Sequence, residues 1–229
     1  MIIIPTYNEI DNIESLLAAI HRQVPGANVL VVDDNSPDGT GDLVQRLMES
    51  DPRLHLLRRS GKLGLGTAYI AGFKYALERD FEYIFEMDAD FSHDPAYLPD
   101  FLEAVKEADV VLGSRYVDGG GVENWPFIRK LISVGGSLYS RAILSVPYKD
   151  LTGGFKCFRR SALEALPLDE VHSEGYSFQI EMTYRVHRKG LKIVEIPIIF
   201  RDRKGGASKM SWGIFFEAFY RVWQIRLTV

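Results

Sequence analysis

The sequence of 229 residues contains a single cysteine, Cys157. One cysteine excludes an intrachain disulfide and fits a reducing compartment, so we interpret Cys157 as a small buried apolar residue. No uncharged run approaches the roughly 18 apolar residues that a membrane span needs, and the short run at 1–4 before Pro5 does not have the form of a signal peptide. Internal repeats and low-complexity linkers are also lacking. These absences favour one compact domain, soluble or peripheral to a membrane.

Charge is divided unevenly along the chain. The net charge is -4, but residues 1–114 contain 9 Lys/Arg against 20 Asp/Glu, while residues 115–229 contain 18 against 11. Acidic groups suit a divalent cation, and basic groups suit phosphates or an anionic membrane surface. We therefore expect different roles for the two halves and do not expect nucleic acid as a partner.

Short β-branched runs alternate with helical patterns in the first half of the chain. Strands are predicted at 1–4, 28–32, 54–57, 83–87 and 110–112, and helices at 13–20, 40–48, 67–77 and 95–105. This alternation predicts an α/β fold with a Rossmann-like, mostly parallel sheet flanked by helices. Strand-like runs recur around Phe155 and at 193–200, which we interpret as an elaboration of the same domain.

Polar residues follow the first, second and fourth predicted strands, where ligands bind in open sheets of this kind. Asp88 and Asp90 flank one small residue, so both carboxylates project to the same side of an extended segment. Two hard oxygen ligands suit Mg²⁺ or Mn²⁺. The alternative is a turn in which these aspartates only cap backbone groups.

Three further groups each have two interpretations. Asp33 and Asp34 either bind a nucleobase or ribose, or form an Asx turn. His93 is either an outer neighbour of a metal or a loop residue that forms hydrogen bonds. The Gly64-Leu65-Gly66 segment is not a dinucleotide-binding motif, because its third glycine is replaced. Either Lys62 and the two glycines lie near a bound phosphate, or the segment forms a flexible turn before a helix.

Two amphipathic segments lie in the C-terminal half. At 127–146, a polar stripe that includes Arg129 and Ser133 lies opposite an apolar face, which is typical of a membrane-surface helix. Packing on the core is the alternative. The segment 210–229 has a wide aromatic face, which favours contact with a bilayer or burial against a partner chain. Its aromatic residues are Trp212, Phe215, Phe216, Phe219, Tyr220 and Trp223.

Five motifs occur in order at sensible spacing: PTYNE at 5–9, DDNS at 33–36, MDAD at 87–90, GSRY at 113–116 and LTGGFKCF at 151–158. From residue 2 to about 212 the chain resembles the dolichol-phosphate (polyprenyl-phosphate) mannose synthases, which are family 2 inverting glycosyltransferases. The resemblance implies a GT-A fold, Mg²⁺ or Mn²⁺, GDP-mannose as donor and a dolichyl or polyprenyl phosphate as acceptor. UDP-glucose or another sugar nucleotide stays open as the donor.

The resemblance also implies a set of site residues. The metal ligands would be Asp88 and Asp90, and the acceptor phosphate would be bound by Arg115, Arg129 and Ser133. Asp90, Arg115 and Arg129 would be the catalytic residues. No general base is needed, because the acceptor phosphate is already charged near neutral pH. The nucleotide sugar would contact Pro5, Tyr7, Glu9, Asp34, Asp88, Ala89, Asp90, Arg201 and Lys209.

We therefore expect one catalytic domain at 1–209, with a nucleotide and metal half at 1–114 and an acceptor half at 115–209, followed by an aromatic helix at 210–229. The resemblance implies a peripheral enzyme on the cytoplasmic face of the plasma membrane or endoplasmic reticulum. Small membrane-anchoring subunits would anchor it as partners, or the aromatic tail would suffice, or the sequence is truncated before transmembrane helices. A nucleotidyltransferase is disfavoured, because no Gly-rich loop follows the first strand. A non-catalytic sugar-nucleotide-binding protein would not need Asp90 together with the arginines.

Overall fold

The computed structural model of the protein describes residues 1–201 and 212–229. The strands of this part are β1 (Ile2–Thr6), β2 (Val29–Asp33), β3 (Leu54–Arg58), β4 (Tyr83–Glu86), β5 (Val110–Ser114), β6 (Gly121–Glu123), β7 (Lys156–Arg159), β8 (Ile193–Pro197) and β9 (Ile199–Arg201). The α-helices are α1 (Ile10–Gln23), α2 (Thr40–Met48), α3 (Leu65–Leu77), α4 (Leu98–Ala104), α5 (Phe127–Leu144), α6 (Arg160–Glu164), α7 (Gly175–Arg188) and α8 (Trp212–Thr228). Two 3₁₀ turns, Pro95–Tyr97 and Leu168–Glu170, precede α4 and α7.

The main sheet has seven strands in the order β3-β2-β1-β4-β7-β5-β8. β7 pairs antiparallel with both β4 and β5, and the other neighbours are parallel. The predicted α/β fold with a mostly parallel sheet is confirmed. A second, two-stranded sheet joins β6 to β9.

Alternating side chains of the strands divide the core between the two faces of the sheet. In β1, Ile2 and Ile4 pack with the buried face of α1, while Ile3 packs with α3 on the other side. Successive residues of a strand point to opposite faces, so a continuous apolar strand requires helices on both sides. Each fully buried side chain of this kind contributes about 1.5–3 kcal/mol.

Helix α7 was not predicted, because polar residues interrupt its apolar pattern. Most of the helix is nevertheless buried, including Gln179, Glu181, Thr183 and Arg185. The Arg185 Nε donates to the Glu181 carboxylate at 2.8 Å. Buried polar groups are tolerated when they pair with one another, so a helix can be internal without a clean apolar stripe.

Helices α5 and α8 cover α7 with a third apolar cluster, to which α8 contributes Val222 and Ile225. The outer faces of both helices are apolar and exposed, with Ile128, Leu131 and Leu138 on α5 and Tyr220, Trp223 and Leu227 on α8. The polar stripe of α5 faces inward, where Ser137 and Ser140 are buried. Within the described part of the chain, no helix is long and apolar enough to cross a membrane.

Candidate active site

The order of the strands brings the three polar strand ends to one edge of the sheet. β2, β1 and β4 are consecutive neighbours, and all three are parallel. The segments that follow them contain Tyr7 and Glu9, then Asp34, then Asp88 and Asp90. The prediction that these acidic strand ends share one rim is confirmed.

Asp33 and Asp34 differ in their surroundings. The Asp33 carboxylate accepts hydrogen bonds from the Thr6 hydroxyl and from the amide and hydroxyl of Ser36, so it is the Asx-turn residue. The Asp34 carboxylate instead forms an ion pair with Arg59, in which one Asp34 oxygen lies 2.7 Å from the Arg59 Nε. The angles at these two atoms are not those of a hydrogen bond. Its other oxygen accepts from the Leu63 amide at 3.2 Å. Burial raises the pKa of Asp34, and Arg59 opposes that shift.

A cleft of about 760 Å³ opens beside this edge and is lined by Glu9, Asp90 and Arg201 among others. Three further lining residues, Asn8, Phe91 and Asn124, have φ angles of 60° to 63°. A positive φ is uncommon outside glycine and tends to occur at functional sites. Next to the cleft, the Lys62 ammonium lies 4.4 Å from the centre of the Tyr7 ring. The cleft thus joins three residues predicted to bind the nucleotide sugar.

The Asp88 and Asp90 carboxylates are partly exposed and oriented by neighbours. The Tyr69 hydroxyl lies 3.4 Å from one Asp88 oxygen, and the Ser92 amide donates to Asp90 at 3.1 Å. In residues 1–201 and 212–229, the buried Ser92 hydroxyl has no hydrogen-bond partner, and Ser92 contacts Asp90 through its amide. Among the described residues, no three His, Cys, Asp or Glu side chains form a metal cluster. Two carboxylates and a hydroxyl fit a hard divalent cation that takes its other ligands from a diphosphate and water.

His93 supports the first of these carboxylates. Its Nδ1 accepts a hydrogen bond from the Asp88 amide at 3.0 Å, so the ring proton is on Nε2, which faces the Asp88 carboxylate at 3.7 Å. The ring stacks on Phe155 with centroids 5.0 Å apart. Burial lowers the pKa of His93, and the charges of Asp88 and Asp90 oppose this shift. The pKa is lowered on balance, which favours the neutral ring. His93 therefore lies beside a candidate metal ligand, as one of its two interpretations expects.

A buried charge pair lies beneath the aspartates, at paired positions of β4 and β7. Burial raises the pKa of Glu86 and lowers that of Lys156, and the charge of each opposes the shift of the other. The Lys156 ammonium donates to the Gln179 carbonyl at 2.8 Å and to the Thr183 hydroxyl at 3.0 Å. Lys156 thus links α7 to the antiparallel strand β7 under the site.

Arg115, which follows β5, is buried and held by Asp150. Its Nε and one terminal nitrogen donate to the two Asp150 oxygens, both at 2.7 Å, and its amide donates at 3.0 Å. Burial favours the neutral forms of both groups, but the ion pair outweighs it, lowering the pKa of Asp150 and raising that of Arg115. The guanidinium is therefore charged and fixed in place.

Aromatic rings bring the other acceptor residues to Arg115. The Arg129 and Arg115 guanidinium carbons lie 4.2 and 5.5 Å from the centre of the Trp125 ring. Ser133 accepts a hydrogen bond of 2.7 Å from the Tyr116 hydroxyl, and the Tyr116 ring lies 5.2 Å from Arg115. Cation–π contacts hold guanidinium groups together that would otherwise repel. The structure thus places all three residues predicted to bind the acceptor phosphate in one group.

The remaining predicted residues have different outcomes. Arg201 pairs with Asp94 at 3.0 Å and with Glu123 at 3.2 Å, at the mouth of the cleft. The Ala89 side chain belongs to the core, so only its backbone can face a donor. Lys209 lies outside the described residues. The residues that support the site were not predicted, because no pattern in the sequence links them to their distant partners. They are Arg59, Tyr69, Tyr116, Trp125 and Asp150.

A mostly parallel sheet with a cleft and an aspartate pair at its carboxyl edge, together with the Arg115 and Arg129 group, is typical of a glycosyltransferase of the sugar-nucleotide type. The protein belongs to glycosyl transferase family 2, whose pattern residues 1–166 match. The predicted family is confirmed.

Two curated relatives specify the branch of the family that the chain resembles. The undecaprenyl-phosphate mannosyltransferase of Micrococcus luteus is 51% identical over 220 residues, which cover 96% of this chain and 90% of the relative. The polyprenol monophosphomannose synthase of Mycolicibacterium smegmatis is 46% identical over 230 residues, covering 99% of this chain and 87% of the relative.

Solved structures with low identity share the fold. A mannosyltransferase from Pyrobaculum calidifontis, in complex with GDP-Man and Mn²⁺, aligns with a TM-score of 0.61 at 20% identity; the match covers 95% of this chain but only 59% of that protein. Glucosyl-3-phosphoglycerate synthase from Mycobacterium tuberculosis aligns with a TM-score of 0.68 at 17% identity, covering 99% of this chain and 78% of that one. At such identities the likeness supports the GT-A type of fold alone.

Proposed function

We propose that the protein transfers mannose from GDP-mannose to a polyprenyl phosphate with inversion, giving a β-linked polyprenyl-phosphate mannose at a membrane surface. The names of both curated relatives support mannose as the sugar and a polyprenyl phosphate as the acceptor. GDP-mannose is the donor that the resemblance to polyprenyl-phosphate mannose synthases implies.

One observation carries the proposal, namely the two-sided character of α5. One side presents Arg129 and Ser133 to Arg115, and the opposite side exposes Ile128 and Leu131. A phosphate attached to a long apolar chain needs such a pairing, with guanidinium groups for its head and a lipid-facing surface beside them. A water-soluble acceptor would have no use for the apolar side.

The arrangement suits direct displacement at the sugar. An acceptor phosphate oxygen attacks the anomeric carbon of mannose, the bond from that carbon to the diphosphate breaks, and GDP leaves with the electron pair. Arg115 and Arg129 bind and orient the nucleophile, which needs no deprotonation because it is already charged. Rigid attachment of Arg115 to Asp150 lets the guanidinium act without rearrangement during the reaction.

Asp88 and Asp90, with the Ser92 hydroxyl, are the residues that would hold Mg²⁺ or Mn²⁺. A bound divalent ion would neutralise charge that develops on the departing diphosphate. Both aspartates are hydrogen-bonded by neighbours, so they present their carboxylates in a fixed orientation. Arg201, at the cleft, and Lys209 complete the proposed diphosphate contacts.

The membrane-facing surface of the proposed enzyme consists of the exposed faces of α5 and α8. Trp223 and Leu227 of α8 extend the apolar surface of α5, and α8 contacts α5 directly. Aromatic residues prefer the lipid–water interface, which supports peripheral binding to a membrane. We assign this contact to the cytoplasmic face. Small membrane-anchoring subunits would bind to this same surface.

The proposal is tested with purified protein, a short polyprenyl phosphate and either GDP-mannose or UDP-glucose, with Mg²⁺, Mn²⁺ or a chelator. We expect mannosyl lipid from GDP-mannose only, and none in the chelator. Asp90→Ala should abolish transfer without unfolding, because it removes a rim carboxylate and leaves no core cavity. Asp100→Ala, at an exposed acidic residue of α4, is the matched control. Transfer from UDP-glucose would overturn the donor assignment, and full turnover in chelator would remove the metal.

A further inference from the structure

Gly64 and Gly66, at the N-terminus of α3, have no role in the proposed chemistry. Gly64 and Gly66 begin a helix that has no side-chain cap of its own. Instead, the Gly66 amide donates at 2.9 Å to the carboxylate of Glu174, which is 108 residues away in the chain. A negatively charged group is favoured at a helix N-terminus, where backbone amides lack partners.

Both glycines fit this distant segment closely. Gly64 has a φ of 102°, and a Cβ there would lie 2.4 to 2.7 Å from the Glu174 carboxylate atoms. A Cβ on Gly66 would lie 2.5 Å from the carbonyl oxygen of Ser173. A side chain at Gly66 would therefore push the Ser173 backbone away, and one at Gly64 would displace the Glu174 carboxylate. The motif is a close-fitting contact, and neither sequence-based interpretation of it, as a phosphate neighbour or as a flexible turn, predicted this.

The loop that leads into α3, residues 59–66, also contacts two of the residues proposed to bind the base, Asp34 and Tyr7. The Leu63 amide donates to Asp34, and Arg59 pairs with the same carboxylate. Arg59 also donates to the Gly64 carbonyl at 3.4 Å, and Lys62 lies over the Tyr7 ring. A shift of the loop would thus move the groups that orient Asp34 and cover Tyr7.

Glu174 belongs to the opposite half of the protein, at the start of α7. The next residues of that helix are Gly175 and Tyr176. Tyr176 faces Arg115 closely enough to raise the pKa of the guanidinium, although less than Asp150 does. The contact with Gly66 therefore connects the acceptor side of the site to the base side. The Gly66 amide donates to no other acceptor in the described part of the chain.

We propose that Glu174 is a positioning residue for the donor nucleotide: its carboxylate fixes the entry loop so that Leu63 and Arg59 hold Asp34 in the orientation that binds the base. The inference rests on the proposed donor site. It predicts a role in nucleotide affinity and base selectivity for a residue that touches no part of the donor.

The test measures the affinity of the full-length protein for GDP and for UDP in the presence of Mg²⁺ by calorimetry, with the thermal midpoint recorded for each variant. Glu174→Ala should weaken GDP binding about five- to tenfold, the loss of one charge-assisted hydrogen bond, and should reduce the preference for GDP over UDP. Glu174→Gln keeps an acceptor oxygen, so its loss should be about twofold. Glu78→Ala, at the other end of α3, is the control and should change neither quantity.

A second set of measurements, made in an Asp34→Asn background, distinguishes positioning of Asp34 from a general loosening of the protein. In Asp34→Asn protein, where the oriented carboxylate is already lost, adding Glu174→Ala should weaken GDP binding less than twofold. An equal loss in both backgrounds, unchanged GDP affinity in Glu174→Ala, or a loss matched by Glu78→Ala would overturn the inference. Failure of the unmodified protein to bind any nucleoside diphosphate would instead overturn the proposed function.

Discussion

Loss of the Asp150 charge should destabilise the protein far more than loss of an exposed acidic partner. The Asp150 side chain is fully buried, and the Arg115 side chain is 4% exposed. Asp150→Asn would leave an almost wholly buried guanidinium without its counter-ion. Removing one partner of a buried ion pair costs about 3–5 kcal/mol. For a chain of this size each kcal/mol lowers Tm by about 2–4 °C, so Tm should fall by about 6–20 °C.

The matched control is Asp169→Asn, which breaks the ion pair with Lys74 at a carboxylate that is 84% exposed. Such pairs contribute about 0.2–1 kcal/mol, so its Tm should stay within a few degrees of the unmodified protein. Both variants are compared by thermal and urea denaturation at neutral pH. Similar small losses in the two variants would show that the Arg115 charge does not depend on Asp150, and the reasoning would be wrong.

The same comparison has a defined pH dependence. The pKa of Asp150 is lowered in the folded protein, so the stability that it contributes is complete above the ordinary aspartate pKa of about 3.9. It is lost as the pH falls through the lowered value, because the folded state must then accept a proton that the unfolded state already holds. The difference in unfolding free energy between the unmodified protein and Asp150→Asn should therefore shrink below about pH 4.

Three further variants test the site and the surface. His93→Gln should weaken Mn²⁺ binding about 10- to 100-fold, because the ring orients Asp88, and a titration that gives unchanged affinity would assign His93 to the loop alone. Arg129→Ala should lower lipid-phosphate transfer at least about tenfold with little change in GDP affinity; equal losses in both assays would end its assignment to the acceptor. Ile128→Ser with Leu131→Ser should reduce sedimentation with anionic vesicles, and binding at the unmodified level would place the membrane contact elsewhere.

The donor side of the site was predictable because its residues follow strands that are easy to recognise. β1, β2 and β4 are short apolar runs, and parallel strands place their carboxyl ends on one edge. That rule alone brought Asp34 and Asp88 together. The different roles of Asp33 and Asp34 were not predictable, since the two are adjacent and only the contacts of Ser36 and Arg59 distinguish them.

The acceptor side was harder to derive from the residues. Asp150 has no local pattern that assigns it to Arg115, and the link from Glu174 to Gly66 joins residues 108 positions apart. The helical wheel of α5 separated its two faces correctly, but it could not say that Ser137 would be buried while Leu131 would be exposed. Helix α7 was not predicted because its buried Glu181, Thr183 and Arg185 find their partners only in the folded protein.

In the sheet, β7 lies between β4 and β5, although the ribosome synthesises β7 after both of them. The strands therefore cannot pair in the order of their synthesis. When β5 has emerged, two strand edges await a neighbour that is still being synthesised, and at about 5–20 residues per second this interval lasts several seconds. Unpaired edges are templates for pairing with other chains. Nascent chains stalled before Lys156 should therefore bind a holding chaperone more strongly than chains stalled well past Arg159, as a pull-down of the two would reveal. The synthesis of about 40 residues after Ser114 is then the period of greatest exposure to aggregation.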